Sequence, residues 1–271
     1  MRLRVLAVLL PALGSVLVGP PVEARDQGAD GKFSKRTSSH FVLFQDVDID
    51  ESGGLRGSRQ FEDRVLATLE EAYESLDSLL GMRPSRPITV TIRDPAVFDA
   101  EFAGLFRFPA AGFYGDSIHI RGTTVVGERL VRVLHHELVH AAFHAKAPSL
   151  VLPAWFNEGT AEWFEARATG QRGLSESRYA YLRKRARTGE LFALAQMSQA
   201  SFGGLGPNAA ASAYLQSYAF MDYLARRYGD SRIRNLVREL LRTGNLDRSF
   251  RKTFRVPLPD LESRWKSQLA S

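Results

Sequence analysis

The sequence of 271 residues contains no cysteine. That excludes a disulfide framework, a thiolate metal site, a cysteine nucleophile and lipid attachment through cysteine. Lysine is scarce too. The basic residues are overwhelmingly arginine, so the formal net charge of +6 rests on side chains that stay protonated at any physiological pH. Beyond the first 20 residues there is no long apolar run, which excludes a polytopic membrane protein. Internal repeats and low-complexity tracts are absent, which excludes solenoid and collagen-like architectures. What is present is ordinary: 44% hydrophobic and 24% charged residues, a balance that excludes a mostly disordered chain.

The first residues read as an export signal. Arg2 and Arg4 precede an uncharged, mostly apolar run from Val5 to Val18, and Val22-Glu23-Ala24 fits a small-x-small cleavage site. The run is shorter than the roughly 20 residues a membrane span needs, which favours cleavage near Ala24 over an uncleaved anchor. Residues 1–24 are therefore expected to be a signal peptide and residues 25–36, polar and carrying two glycines, a flexible leader. The protein is expected to be exported, to the periplasm or beyond the cell. Residues 37–271 are expected to form a single domain, with a sheet-containing lobe over 37–122 and a helical lobe over 123–271.

Strand patterns cover His40 to Phe44, Ile88 to Ile92 and Gly112 to Ile120, the last broken by Gly115. Three- to four-residue apolar spacing predicts a helix over 60–80, ended by Gly81 and Pro84. Further helices are predicted over 127–146, 154–168, 175–188, 211–228, 231–243 and 258–270. Residues 95–109 fit neither period. Strands first and helices after indicate an α+β fold, a small N-terminal sheet followed by a mainly helical part.

Within the 127–146 helix lies His136-Glu137-Leu138-Val139-His140, an H-E-x-x-H motif. Residues four apart share a helix face, so both histidines can reach one zinc ion. Glu137 is about 100° round the helix, near the metal without ligating it, where a carboxylate can act as base toward water. His144 continues the same face, but three ligands on one helix would splay, so a peripheral role is expected. His135 points away and reads as structural. The next helix opens with Pro153-Ala154-Trp155-Phe156-Asn157-Glu158-Gly159. Glu158 sits near the helix N-terminus, which favours a carboxylate. Gly159 is expected to let this helix approach the His136 helix. Glu162, one turn after Glu158, is a candidate to orient a ligating imidazole, and Glu165 reads as solvated.

His136-Glu137-x-x-His140 followed by Trp155-Phe156-Asn157-Glu158-Gly159 resembles the gluzincin metallopeptidases, closest to their aminopeptidase-like branch. The resemblance implies a zincin-like fold, a Zn2+ cofactor held by His136, His140 and Glu158, and Glu137 as general base. It is strongest over residues 127–168 and weaker over 205–230. There, Tyr214 matches the position of an oxyanion-stabilising tyrosine, with Tyr218 one turn on as the alternative. Family members hold substrate along a sheet edge, which Gly112 to Ile120 would supply. The G-x-M-E-N segment that grips a substrate amino terminus is missing, with Ala111-Gly112-Phe113-Tyr114 in its place. The spacing excludes metzincins, because Lys146 stands where their third histidine would be.

Arginine-rich stretches such as Arg183 to Arg187 and Arg226-Arg227 read as solvated helix faces. No nucleic-acid motif accompanies them, and nucleic acid is not expected as a partner. Weak attraction to acidic envelope polymers or anionic lipid head groups is compatible with the charge. The leading expectation is an exported zinc metallopeptidase acting on peptide or protein substrates. The alternatives are a zinc-stabilised envelope binding domain with little turnover and a zinc hydrolase of non-peptide amides or esters. The substrate and the oligomeric state are not readable from the sequence.

Overall fold

The computed structural model describes Leu6–Ala7, residues 33–47 and residues 57–271. The expected signal peptide and most of the expected leader lie outside the described residues. Leu6–Ala7 is the exception, forming a short strand β1. Among the described residues no helix is long and apolar enough to cross a membrane.

The sheet has the order β1-β5-β6-β4-β3-β2. β3 (Phe41–Gln45) and β4 (Ile88–Arg93) run parallel, and so do β4 and β6 (Ile118–Arg121). Two antiparallel pairs flank this core. β2 (Ser34–Thr37) pairs with β3, and β5 (Gly112–Tyr114) pairs with β6. Parallel strands need a crossover. Between β3 and β4 it is α1 (Gly57–Leu80); between β4 and β6 it is α2 (Pro95–Glu101) with β5. Alternation fixes which face is buried: Phe41, Leu43, Val90, Ile92, Ile118 and Ile120 all point into the core. Against them α1 lays Phe61, Val65, Leu69 and Leu76, each fully buried. α1 ends at Gly81, whose φ of +67° is the left-handed conformation glycine adopts without strain.

The helical part starts with α3 (Glu128–Lys146), which packs against α1, β5, β6 and α4 (Ala154–Ala168). Gly112 makes the approach of β5 to α3 feasible: a Cβ there would lie 2.8 Å from Val133 Cγ1. α5 (Glu176–Arg187), α6 (Pro207–Tyr228), α7 (Asp230–Thr243), α8 (Leu246–Phe254) and α9 (Leu258–Ala270) follow. α4 is the central element. It sits between α3 and α6, and Trp155 packs against Phe220 at 5.7 Å and Phe250 at 6.0 Å between ring centres.

The α+β expectation holds, a small N-terminal sheet followed by a mainly helical part. Four local readings need correction. Ser34, Lys35 and Arg36, read as the end of a leader, belong to β2. Polar side chains suit an edge strand, and backbone pairing with β3 holds it. The 112–120 stretch is a hairpin of two strands, turning where Gly115 N donates to Ser117 O at 3.0 Å. Residues 95–101 form a helix started by Asp94, whose side chain accepts from Ala96 N at 2.8 Å. α8 was missed because four charged residues interrupt it. Its Asn245 cap and the buried Phe250 and Phe254 at four-residue spacing were the available signals.

Candidate metal centre and active site

Three buried ligand atoms converge where α3 meets α4. His136 Nε2 lies 3.1 Å from Glu158 Oε2, and His140 Nε2 lies 3.5 Å from the same oxygen. Ligands at about 2.0–2.2 Å from a tetrahedral zinc are separated by about 3.3–3.6 Å. The donor set and its spacing therefore fit zinc, and the three residues form a cluster able to hold a metal ion. A second observation agrees. Glu158 Oε1, His140 Nε2, both oxygens of Glu137 and the Tyr214 hydroxyl are buried without a hydrogen-bond partner. Buried polar groups are almost always satisfied, so unpartnered atoms on the cluster residues and on the neighbouring Glu137 mark a site built for a further partner.

Local sequence explains the convergence. The four-residue spacing of His136 and His140 places their rings 5.0 Å apart on one face of α3. Pro153 caps α4 in extended conformation, so Asn157 and Glu158 fall in its first turns, at the positive end of the helix dipole. Burial pushes the Glu158 carboxyl up, but the His140 and His136 imidazoles outweigh it and hold the group below the usual carboxylate range. For Glu137 the balance goes the other way. Burial, reinforced by the charges of Glu158 and Glu165 against the opposing pull of His136, raises its carboxyl well above the usual value.

One imidazole is hydrogen-bonded from behind, and the other has carboxylates close to its rear nitrogen. His140 Nδ1 meets Asn157 Oδ1 at 3.1 Å. His136 Nδ1 lies 3.4 Å from Glu165 Oε2 and 4.0 Å from Glu162 Oε1. This corrects the expectation for Glu165, which is buried, pairs with Arg132 of α3 and stands closer to the imidazole than Glu162 does. Seven residues past Glu158, it returns to the same face after two turns. Arg132, one turn before His136, supplies the counter-charge. The sequence signal for Asn157, Glu165 and Arg132 was limited to helical spacing.

Gly159 faces the other way from the expectation. A Cβ there would lie 2.6 Å from Ser217 O and 3.1 Å from Met221 Cγ, so the close approach it permits is between α4 and α6. That contact packs α6, which carries Tyr214, against the helix that carries Glu158. Burial, then the charges of Glu158, Glu137 and Glu162, raise the Tyr214 phenol well above its ordinary value. The Tyr218 phenol is raised too, by burial and then by Asp222, and Glu137 is not among its neighbours in charge. Of the two tyrosines, the environment of Tyr214 is that of the metal cluster. His135 is structural, its Nδ1 donating to Val131 O at 2.8 Å. His144 is peripheral, its Nδ1 2.6 Å from the Tyr114 hydroxyl. The outer edge of β5, which the family resemblance gives to substrate, is paired here with β1.

A family model described as the peptidase MA superfamily matches residues 68–271, from the middle of α1 to the C-terminus. The chain is also similar to "Uncharacterized protein YhcO" of Bacillus subtilis (strain 168), at 23% identity over 218 residues. That alignment takes in 74% of this chain and spans 63% of the relative's length.

Proposed function

The chain belongs to the peptidase MA superfamily, and on that premise we propose that it is an exported, zinc-dependent peptidase of gluzincin type. The observation that carries the reading is the meeting of His136 Nε2, His140 Nε2 and Glu158 Oε2 within 3.1–3.5 Å, beside the unpartnered carboxylate of Glu137. His136, His140 and Glu158 would hold the ion. When bound, zinc supplies Lewis acidity, which acidifies water and polarises a carbonyl group.

The rest of the chemistry falls to this chain's own side chains. Glu137 takes a proton from the attacking water at a carboxylate oxygen and delivers it to the departing amine. Its raised proton affinity suits the second half of that task. The Tyr214 hydroxyl, kept neutral by burial, donates to the oxygen on which negative charge develops. Asn157 and Glu165 face the Nδ1 atoms of the two imidazoles and orient them, and Arg132 pairs with Glu165 in a buried setting. Missing the amino-terminus-gripping segment, the protein is proposed to cleave peptide bonds without needing a free substrate amino terminus.

The test is metal analysis of the purified protein beside cleavage-site profiling on a denatured proteome, with wild type and Glu137→Gln. One equivalent of zinc in both, and activity lowered at least about 100-fold in the variant, is the expected result. Purified wild type without zinc, or equal cleavage by the two proteins, would overturn the proposal.

A further inference from the structure

On the far side of α6 from Tyr214 lies a groove of about 280 Å³ between α5, α6 and α9. Tyr223 follows Tyr214 by two and a half helical turns, so the groove and the metal cluster occupy opposite faces of one helix. Its lining divides by chemistry. Ala219, Tyr223, Trp265 and Leu269 are buried and form an apolar floor. Arg183, Arg226 and Arg227 stand around it, and no acidic side chain lines it.

Arg226 is not a loose surface cation. Its Nε binds Asp222 Oδ2 at 2.7 Å, and Asp222, buried to 1% exposure, is fixed in turn by Arg167 at 3.2 Å. The guanidinium lies 5.6 Å from the centre of the Tyr179 ring. It also passes over Gly173, where a Cβ would fall 1.8 Å from Nη2. Three features therefore fix one guanidinium at the groove wall, with its Nε on Asp222. With Nε on Asp222 and Nη2 packed over Gly173, Nη1 is the nitrogen placed to donate to a carboxylate oxygen. A volume of this size accommodates one large side chain with its backbone, not an extended ligand.

We propose that this groove binds the carboxyl-terminal end of a peptide whose last side chain is apolar or aromatic. Arg226 fixes the carboxylate, Arg183 and Arg227 add positive potential, and the Trp265–Leu269 floor takes the side chain. A polyanion without an apolar group would leave that floor unused. The site is separate from peptide-bond hydrolysis and does not rest on it.

The experiment titrates the full-length, zinc-loaded protein with N-acetyl-L-phenylalanine and with its amide, read by tryptophan fluorescence and calorimetry. The acid should bind at least about 10-fold tighter than the amide, because a charge-assisted pair is lost in the amide. The exposed double variant Arg183→Ala/Arg227→Ala should weaken the acid about 10-fold with an unchanged unfolding midpoint. Equal binding of acid and amide, or no binding at millimolar concentration, would overturn the proposal. So would binding that EDTA abolishes and the double variant leaves intact, which would place the carboxylate on the metal. Salt-reversible binding to phosphatidylglycerol vesicles with no preference for acid over amide would assign the groove to a membrane surface instead.

Discussion

Replacing Gly159 by alanine sets two opposed effects against each other. In a helix interior the change gains about 1 kcal/mol from propensity. Against that, the new Cβ would lie 2.6 Å from Ser217 O and 2.9 Å from Ser217 C. Those atoms are helix backbone, so no rotamer change relieves the contact, and α4 and α6 must part. Overpacking of this kind costs about 1–3 kcal/mol, and a rigid backbone partner puts it toward the upper end. The expected net loss is about 1–2 kcal/mol, or about 2–8 °C in Tm for a domain of this size. Parting the helices also carries Tyr214, one turn before Ser217, away from the cluster while Glu158 stays on α4. The Gly159→Ala variant should therefore lose kcat beyond any change in KM while keeping its zinc. Differential scanning calorimetry with EDTA present and absent, plus steady-state kinetics, checks both parts. A variant more stable than wild type by the full propensity gain would refute the close packing of α4 on α6.

Three other predictions concern the site. Glu165→Gln should weaken zinc binding about 10–100-fold in chelator competition and Glu162→Gln by less, reversing the order that sequence spacing suggests. Tyr214→Phe should lower kcat by about 100-fold or more with zinc content unchanged, and Tyr218→Phe should leave kcat near wild type; the opposite order would move the oxyanion role one turn along α6. The third is a pH effect in the metal-free protein. The folded Glu137 carboxyl lies above its unfolded value near 4.3, so the folded state binds the extra proton and stability falls as pH rises above that value. Glu137→Gln removes this loss, so in EDTA its urea midpoint should exceed that of wild type at pH 7 and converge with it near pH 4. Parallel midpoint curves would contradict the burial argument.

The metal cluster was legible because its geometry is local. His136 and His140 are four apart on one helix, and Glu158 needs only a second helix whose N-terminus faces the first. The long helices were legible for the same reason: the predicted 127–146 is α3 at Glu128–Lys146, and 154–168 and 258–270 match α4 and α9. What the sequence did not reveal depends on which distant surface a side chain meets. Glu165 looks like one more charged residue near a helix end until α3 brings Arg132 and His136 to it. Gly159 signals a close helix contact, but its partner, α6, begins almost 50 residues later in the chain. β2 escaped notice because an edge strand held by backbone pairing needs no apolar pattern.

The carboxylates packed behind and beside His136 have a consequence for the lifetime of the protein. Glu162 and Glu165 stand beside Arg132, and Glu137 and Glu158 are buried with the two imidazoles, so four carboxyl groups crowd one site where charge is costly to bury without a cation. On the proposed reading, free zinc at 100 times its dissociation constant would add about 2.7 kcal/mol to the folded state, a roughly 100-fold fall in the opened population that proteases attack. With no disulfide to hold the opened chain together, molecules that fail to acquire metal would be cleared first. The acidic lining would thus make the abundance of the protein a record of zinc supply.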